Sequence, residues 1–300
     1  FYDDARDKEI SMRVAATGSD GKLLTLPNGS IYKVNLLEKL LVTTLTKLSN
    51  FVPGGGVWMN TQRPEWNDAN NALVGYGLSI VTLCYLRRFM VSLKVLLSTG
   101  REQDFSVSSE VLVFFDALER VLNKHSTRIE DTNTPQGRKV FMDEIGPCGE
   151  SYRKAVYAGF AGDKAMLGKT RLSSFIDLAM VYIDQSLALS RRPDGLFHAY
   201  NLIEFGNDGY AVANLYEMLE GQVAVLSSGY LGAKDSLELL TALRSSRMYR
   251  QDQNSYLLYP DRNLPLFLHK NVIPNTLIEN YPWLQNELDC GRTEFVERDV

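Results

Sequence analysis

Cysteine is scarce in these 300 residues: Cys84, Cys148 and Cys290 are odd in number and far apart. They fit neither a disulfide framework nor a CxxC metal site, so free thiols in a reducing, cytoplasmic setting are expected. The three histidines, His125, His198 and His269, show no HxxxH or HExxH spacing, and no metal site is expected. No run of five like charges occurs, and 32 basic residues stand against 36 acidic ones. That balance lacks the footprint of a nucleic-acid or polybasic membrane surface. No apolar run reaches transmembrane length, because the longest candidate, Gly77 to Leu97, is broken by Arg87-Arg88. No signal peptide is expected, and a GxSxG elbow, a Cys–His or serine-triad signature and a solenoid repeat are missing from these residues.

What is present is a chain with 45% hydrophobic residues, enough for a sizeable core. It opens on Phe1 and closes on Glu294-Phe295-Val296-Glu297-Arg298-Asp299-Val300. Both ends look cut, so a piece of a longer protein with flanking domains is expected.

Residues 1–34 read as a polar segment with a β-hairpin at about 23–33, because Asn28-Gly29 supplies the positive φ angles of a tight turn. Over 35–300 the pattern is helical. Apolar residues recur at three and four in 35–51, 106–125 and 171–192, and nearly all round in 70–98. A helix starting at Pro135 is expected to break or kink at Gly146-Pro147. A pair joined at Gly232 and a last helix over 275–288 bring the total to about eight. With few strands and no βα alternation, the expected class is all-α: antiparallel helical hairpins arranged as a toroid.

Three polar segments could hold chemistry. In the first, 54–71, Gly54-Gly55-Gly56 permits close approach of a ligand, but no Lys-Ser or Lys-Thr pair follows to make a phosphate loop. Trp58 and Trp66 can stack on a sugar ring. Arg63, Glu65, Asn67, Asp68 and Asn71 crowd the start of an apolar helix. There Asp68 is pulled toward ionisation by the helix start and toward protonation by burial beside Trp66 and Glu65, a competition that can make a general acid. Equally, Asn67 or Asp68 can simply cap the helix while the tryptophans pack.

The second segment, 191–214, gathers Asp194, His198, Tyr200, Asn201, Glu204 and Asp208. Glu217 and Glu220 follow, three apart and so on one helix face; opposite Asp68 they would complete an acid–base pair. His198 taken singly reads as a packed histidine. The third, 247–271, carries Arg250, Gln253, Asp261 and Arg262 among tyrosines, either a hydrogen-bonding array for hydroxyl-rich ligands or a solvated strand and turn.

Glu65-Trp66-Asn67-Asp68-Ala69-Asn70-Asn71 resembles the DWNDGMN motif of the inverting cellobiose and chitobiose phosphorylase family, which belongs to the (α/α)6-barrel carbohydrate-active enzymes. Glu65 replaces the family's aspartate, and Ala69-Asn70 its Gly-Met. The resemblance implies an (α/α)6 toroid of twelve helices; against the eight or so counted, either several short helices are hidden in the sequence or part of the ring lies outside this piece. It implies an oligosaccharide or glycoside substrate, no cofactor, inorganic phosphate as a possible co-substrate, and Asp68 as the general acid. Trp58, Trp66 and Tyr76 would then line sugar subsites, while Arg63 and Glu65 orient hydroxyls or tune Asp68. His198, Tyr200, Arg250, Gln253, Asp261 and Arg262 would form the opposite wall. A second carboxylate would come from Glu204, Asp208, Glu217 or Glu220. Phosphorolysis and hydrolysis both stay open, as does a non-catalytic glycan-binding or scaffolding module. A sugar epimerase would need its histidines to converge.

Overall fold

Polar side chains cap the starts of several helices. Asp3 caps α1 (Asp4–Thr17), Asn35 caps α2 (Leu36–Leu48) and Ser79 caps α3 (Ile80–Thr99), each accepting a first-turn amide. After α4 (Ser109–His125), Thr134 caps α5 (Pro135–Ala158) in the same way, with proline at its first turn. Next come α6 (Lys169–Leu189), α7 (Leu219–Ser227) and α8 (Ala233–Ser245). The structure, a computed structural model, describes residues 3–59 and 73–297.

Strands lie between these helices: β1 (Phe51–Val52), β2 (Gly56–Trp58), β3 (Gly77–Ser79), β4 (Asp104–Ser108), β5 (Lys164–Gly168), β6 (Tyr200–Phe205), β7 (Tyr210–Asn214), β8 (Tyr249–Arg250) and β9 (Ser255–Tyr256). Five form one antiparallel sheet in the order β1-β2-β3-β6-β7, while β4 pairs with β5 and β8 with β9. This overturns the all-α toroid: the protein is a mixed α/β fold. Strands of two to six residues carry too little alternation to stand out. β3 and β5 run directly into α3 and α6, so their apolar residues read as helix. The turn residues Asn207-Asp208-Gly209 made β6 and β7 look like one loop.

Other expectations shift for local reasons. α5 runs unbroken through Gly146-Pro147, although Pro147 has no amide to give the helical ladder. α1 buries none of its residues, so it has no apolar period to read. Its cap and the Arg6 guanidinium, which donates to the Tyr157 carbonyl at 2.6 Å, hold it instead. The 23–33 hairpin is present as a turn, with Gly29 at φ 80° and one bridged pair, Thr25 with Ile31.

The main core takes one face of the large sheet through Phe51 and Val57, together with α2 to α8. α3 is central and packs on α2, α6 and α7. The Arg87 guanidinium is accommodated there by Asp184 at 2.6 Å and the Ser228 carbonyl at 2.9 Å. Val52, Leu78 and Ile203 form a smaller cluster, with Trp58, Met142 and Tyr210 packed against it. Although its apolar residues are interrupted by polar ones, and against the expectation from apolar runs alone, α6 is long and apolar enough overall to cross a membrane by length and composition. Leu172, Phe175, Ile176, Tyr182 and Ile183 of this helix are buried in the protein core.

A buried polar knot joins α2 to the β4–β5 pair. Glu38, 2% exposed, accepts the Ser108 amide at 3.0 Å, the Ser108 hydroxyl, and the Lys164 ammonium at 3.3 Å. Tyr32 and Lys164 both donate to Ser108 Oγ, at 2.8 and 3.1 Å.

Phe1–Pro260 is one compact unit and Asp261–Val300 a second. In the second, α9 (Phe267–Lys270) is followed by α10 (Asn275–Glu279) and α11 (Pro282–Asp289), which bury Ile278 and Leu284. The single helix expected over 275–288 is thus two, the second restarted by Pro282 at its first turn.

Candidate functional site

Arg63, Glu65, Trp66, Asn67, Asp68 and Asn71 lie outside the described residues; both roots of their segment are described. Met59 donates its amide to the Gly77 carbonyl at 2.8 Å, Gly75 to the Met59 carbonyl at 2.7 Å, and Trp58 Nε1 to the Gly75 carbonyl at 3.1 Å. The segment therefore leaves β2 and rejoins β3 at one place, marked by Trp58. The preceding glycine triplet serves this pairing. Gly54 and Gly56 have φ of 69° and 122°, and a Cβ on Gly56 would lie 2.7 Å from the Ser79 main chain. The close approach expected of a ligand is made by β3.

α5 is clamped against the same region. Arg138, buried without a described carboxylate partner, donates to the carbonyls of Pro53 (2.8 Å), Tyr210 (2.7 Å) and Asn133 (2.7 Å). Burial pulls its pKa down, and each of its three nitrogens donates to one of these carbonyls. One turn later, Met142 packs on the smaller apolar cluster and Asp143 stands beside it. An aromatic row follows: Trp58 contacts Phe205 (5.7 Å between ring centroids), and Phe205 contacts Tyr210 (5.0 Å).

Between α5, β1 and the end of α2 lies a groove of about 670 Å³. Trp58 and Asn50 line one side, and Asp143, Glu150, Arg153 and Tyr157 project from α5. Lys139 donates to Asp143 at 2.6 Å and holds its carboxyl below the usual range; Tyr210, donating at 3.2 Å, adds to this against a small burial cost. Lys154, 2.7 Å from Glu150, likewise lowers the Glu150 pKa. Both carboxylates are thus ionised at neutral pH and can accept hydroxyl hydrogen bonds. Burial pushes the Tyr152 phenol up to about 12, helped by Glu38 and Glu110, so it stays a donor in the same wall.

Asp143, Glu150 and Arg153 were missed in the sequence. Their signal was there: Lys139–Asp143 and Glu150–Lys154 are pairs at i,i+4, with the two carboxylates seven apart and hence on one helix face. Gly146-Pro147 drew attention to a break instead.

The other predicted residues are dispersed. Tyr76 is exposed at the start of β3, beside the segment's root. Glu217 precedes α7 instead of sharing a helix face with Glu220. Burial acts to raise its pKa, but its own amide, Arg247 at 2.8 Å and Arg192 at 3.3 Å outweigh this and hold it low. Glu220 accepts the hydroxyl of buried Tyr200 at 2.6 Å. Tyr200 pairs with Ser79, so this group sits at the end of β3 away from the segment's roots. His198 donates Nδ1–H to the Leu215 carbonyl at 3.2 Å, and burial, then Arg192, lower its pKa and keep the ring neutral. Asn201 is buried and donates to the Gly55 carbonyl. Arg250 forks onto Asp252 at 2.9 and 2.7 Å, and Gln253 is exposed in the β8–β9 turn. Asp261 and Arg262 belong to the second unit.

Among the described residues no group of His, Cys, Asp and Glu could hold a metal ion. Burial pushes the Cys84 thiol up to about 12, against the lowering effect of Arg87, and raises Cys148 too. Neither is a poised thiolate. The chain matches no protein-family model and no curated protein.

Proposed function

We propose that the protein binds a glycoside in the α5 groove and cleaves its glycosidic bond by inversion. The observation that carries this reading is the groove itself: Trp58 lines it at the root of the Glu65–Asn71 segment, and Asp143 faces it as a carboxylate. Trp58 supplies an apolar face for a sugar ring. Asn50 and the ionised groups of α5 supply partners for hydroxyls.

In the reaction, Asp143 takes a proton from water as the water oxygen bonds to the anomeric carbon. The glycosidic C–O bond breaks, and Asp68 gives its proton to the departing oxygen. Water is taken as the nucleophile because Asp143, an ionised carboxylate lining the groove, can accept its proton. A panel of disaccharides and linear glucans, with and without phosphate, tests this. Hydrolysis independent of phosphate, with the product's first anomer inverted by NMR, is expected. Strictly phosphate-dependent turnover would sink the water mechanism, and binding without turnover would leave only a glycan-binding module.

The Lys139–Asp143 bond also sets a pH dependence. Asp143 acts when ionised, and its pKa is held low, so activity falls only when pH drops through that low value. Lys139→Met removes the main lowering contact. The acidic limb of the kcat/KM profile is expected to move to higher pH, with the alkaline limb unchanged. An unmoved acidic limb argues that a different group governs it.

A further inference from the structure

The groove is longer than a disaccharide requires. On α5 its lining runs from Met142 to Tyr157, about 22 Å at the helical rise per residue. Trp58 and Asp143 stand at one end, Arg153 and Tyr157 at the other. Asp143, Glu150, Arg153 and Tyr157 fall at i, i+7, i+10 and i+14, a single stripe along the helix. Three hydrogen-bonding groups lead along the stripe to an aromatic ring at its far end, Tyr157, more than half exposed at 57%. Midway, a Cβ on Gly146 would meet nothing within 4 Å, so the floor is open there.

We infer that this groove holds a linear, neutral oligosaccharide of several rings, with Trp58 and Asp143 at the bond to be cleaved and Arg153 and Tyr157 gripping a distal ring. This rests on the carbohydrate reading above and adds the substrate's length and direction. An open groove lets a chain run through, and each ring gains a polar partner or an aromatic face from the α5 stripe.

Calorimetry on the full chain carrying Asp68→Asn, which preserves the ligands, tests it with linear α- and β-glucan series from disaccharide to hexasaccharide. Affinity is expected to rise with length in one series. Tyr157→Ala is expected to weaken the hexasaccharide about tenfold more than the disaccharide, the worth of one lost aromatic contact. Gly146→Phe is expected to abolish the length dependence with thermal unfolding unchanged, since its side chain enters open space. Equal affinity at every length, or equal losses for short and long ligands in Tyr157→Ala, overturns the inference and leaves the glycoside reading standing. Binding of no series overturns both.

Discussion

Asp68→Asn is expected to lower kcat on an oligosaccharide by about 10²–10⁴, the usual contribution of a positioned general acid, with KM nearly unchanged. The carboxamide keeps the size of the side chain but has no acidic proton to give the leaving oxygen. The loss should therefore depend on the leaving group. An aryl glycoside whose phenol leaves readily needs little protonation and should lose far less rate than a sugar leaving group. Asp143→Asn is expected to lose a comparable factor for both leaving groups, because the nucleophilic water needs its base in either case. A near-normal kcat for Asp68→Asn on the poor leaving group ends the general-acid role. The same loss for good and poor leaving groups reduces Asp68 to a positioning residue.

The largest expected effect on stability is at Glu38. Glu38→Ala leaves the Ser108 amide and hydroxyl without their buried acceptor and takes the carboxylate from Lys164. Removing one partner of a buried, hydrogen-bonded ion pair costs about 3–5 kcal/mol, and a fall of roughly 10 °C in Tm is expected. Urea unfolding measures it; a loss of under about 1 kcal/mol would show that the knot adds little. The knot also predicts an alkaline dependence. Burial acts to lower the Lys164 pKa, but Tyr32 and Glu38 together raise it above its ordinary value. Its stabilisation is complete below the unfolded lysine pKa of about 10.4 and is lost as pH rises through the raised folded value. Wild-type stability should therefore drop in that alkaline window, and Glu38→Ala should show a smaller drop.

Helices were legible because a buried helix face recurs every three to four residues over many turns, as in α2, α4 and α6. The proline start of α5 was legible for a similarly local reason: a proline in the first helical turn needs no distant partner. The five-stranded sheet was not. Its strands pair Trp58 with Leu78 and Leu78 with Asn201, and the second pairing spans more than a hundred residues that no local period reports. Stretches such as Gly77-Leu78-Ser79 are too short to declare a strand until a neighbour supplies the ladder.

The candidate site divides along the same line. The sequence by itself determined the local chemistry: a Trp-Asn-Asp segment beside Trp58, scattered thiols and histidines, and two lysine-paired carboxylates on one face of a helix. Only the tertiary structure decided which of these share a space. It moved Glu217, Glu220, His198 and Tyr200 to the far end of β3 and set Asp143, Glu150 and Arg153 in the groove with Trp58. The reason is physical. Side-chain type and spacing are properties of a few neighbouring residues, whereas a site is made by strand pairing and by Arg138 clamping α5 to carbonyls distant in the chain.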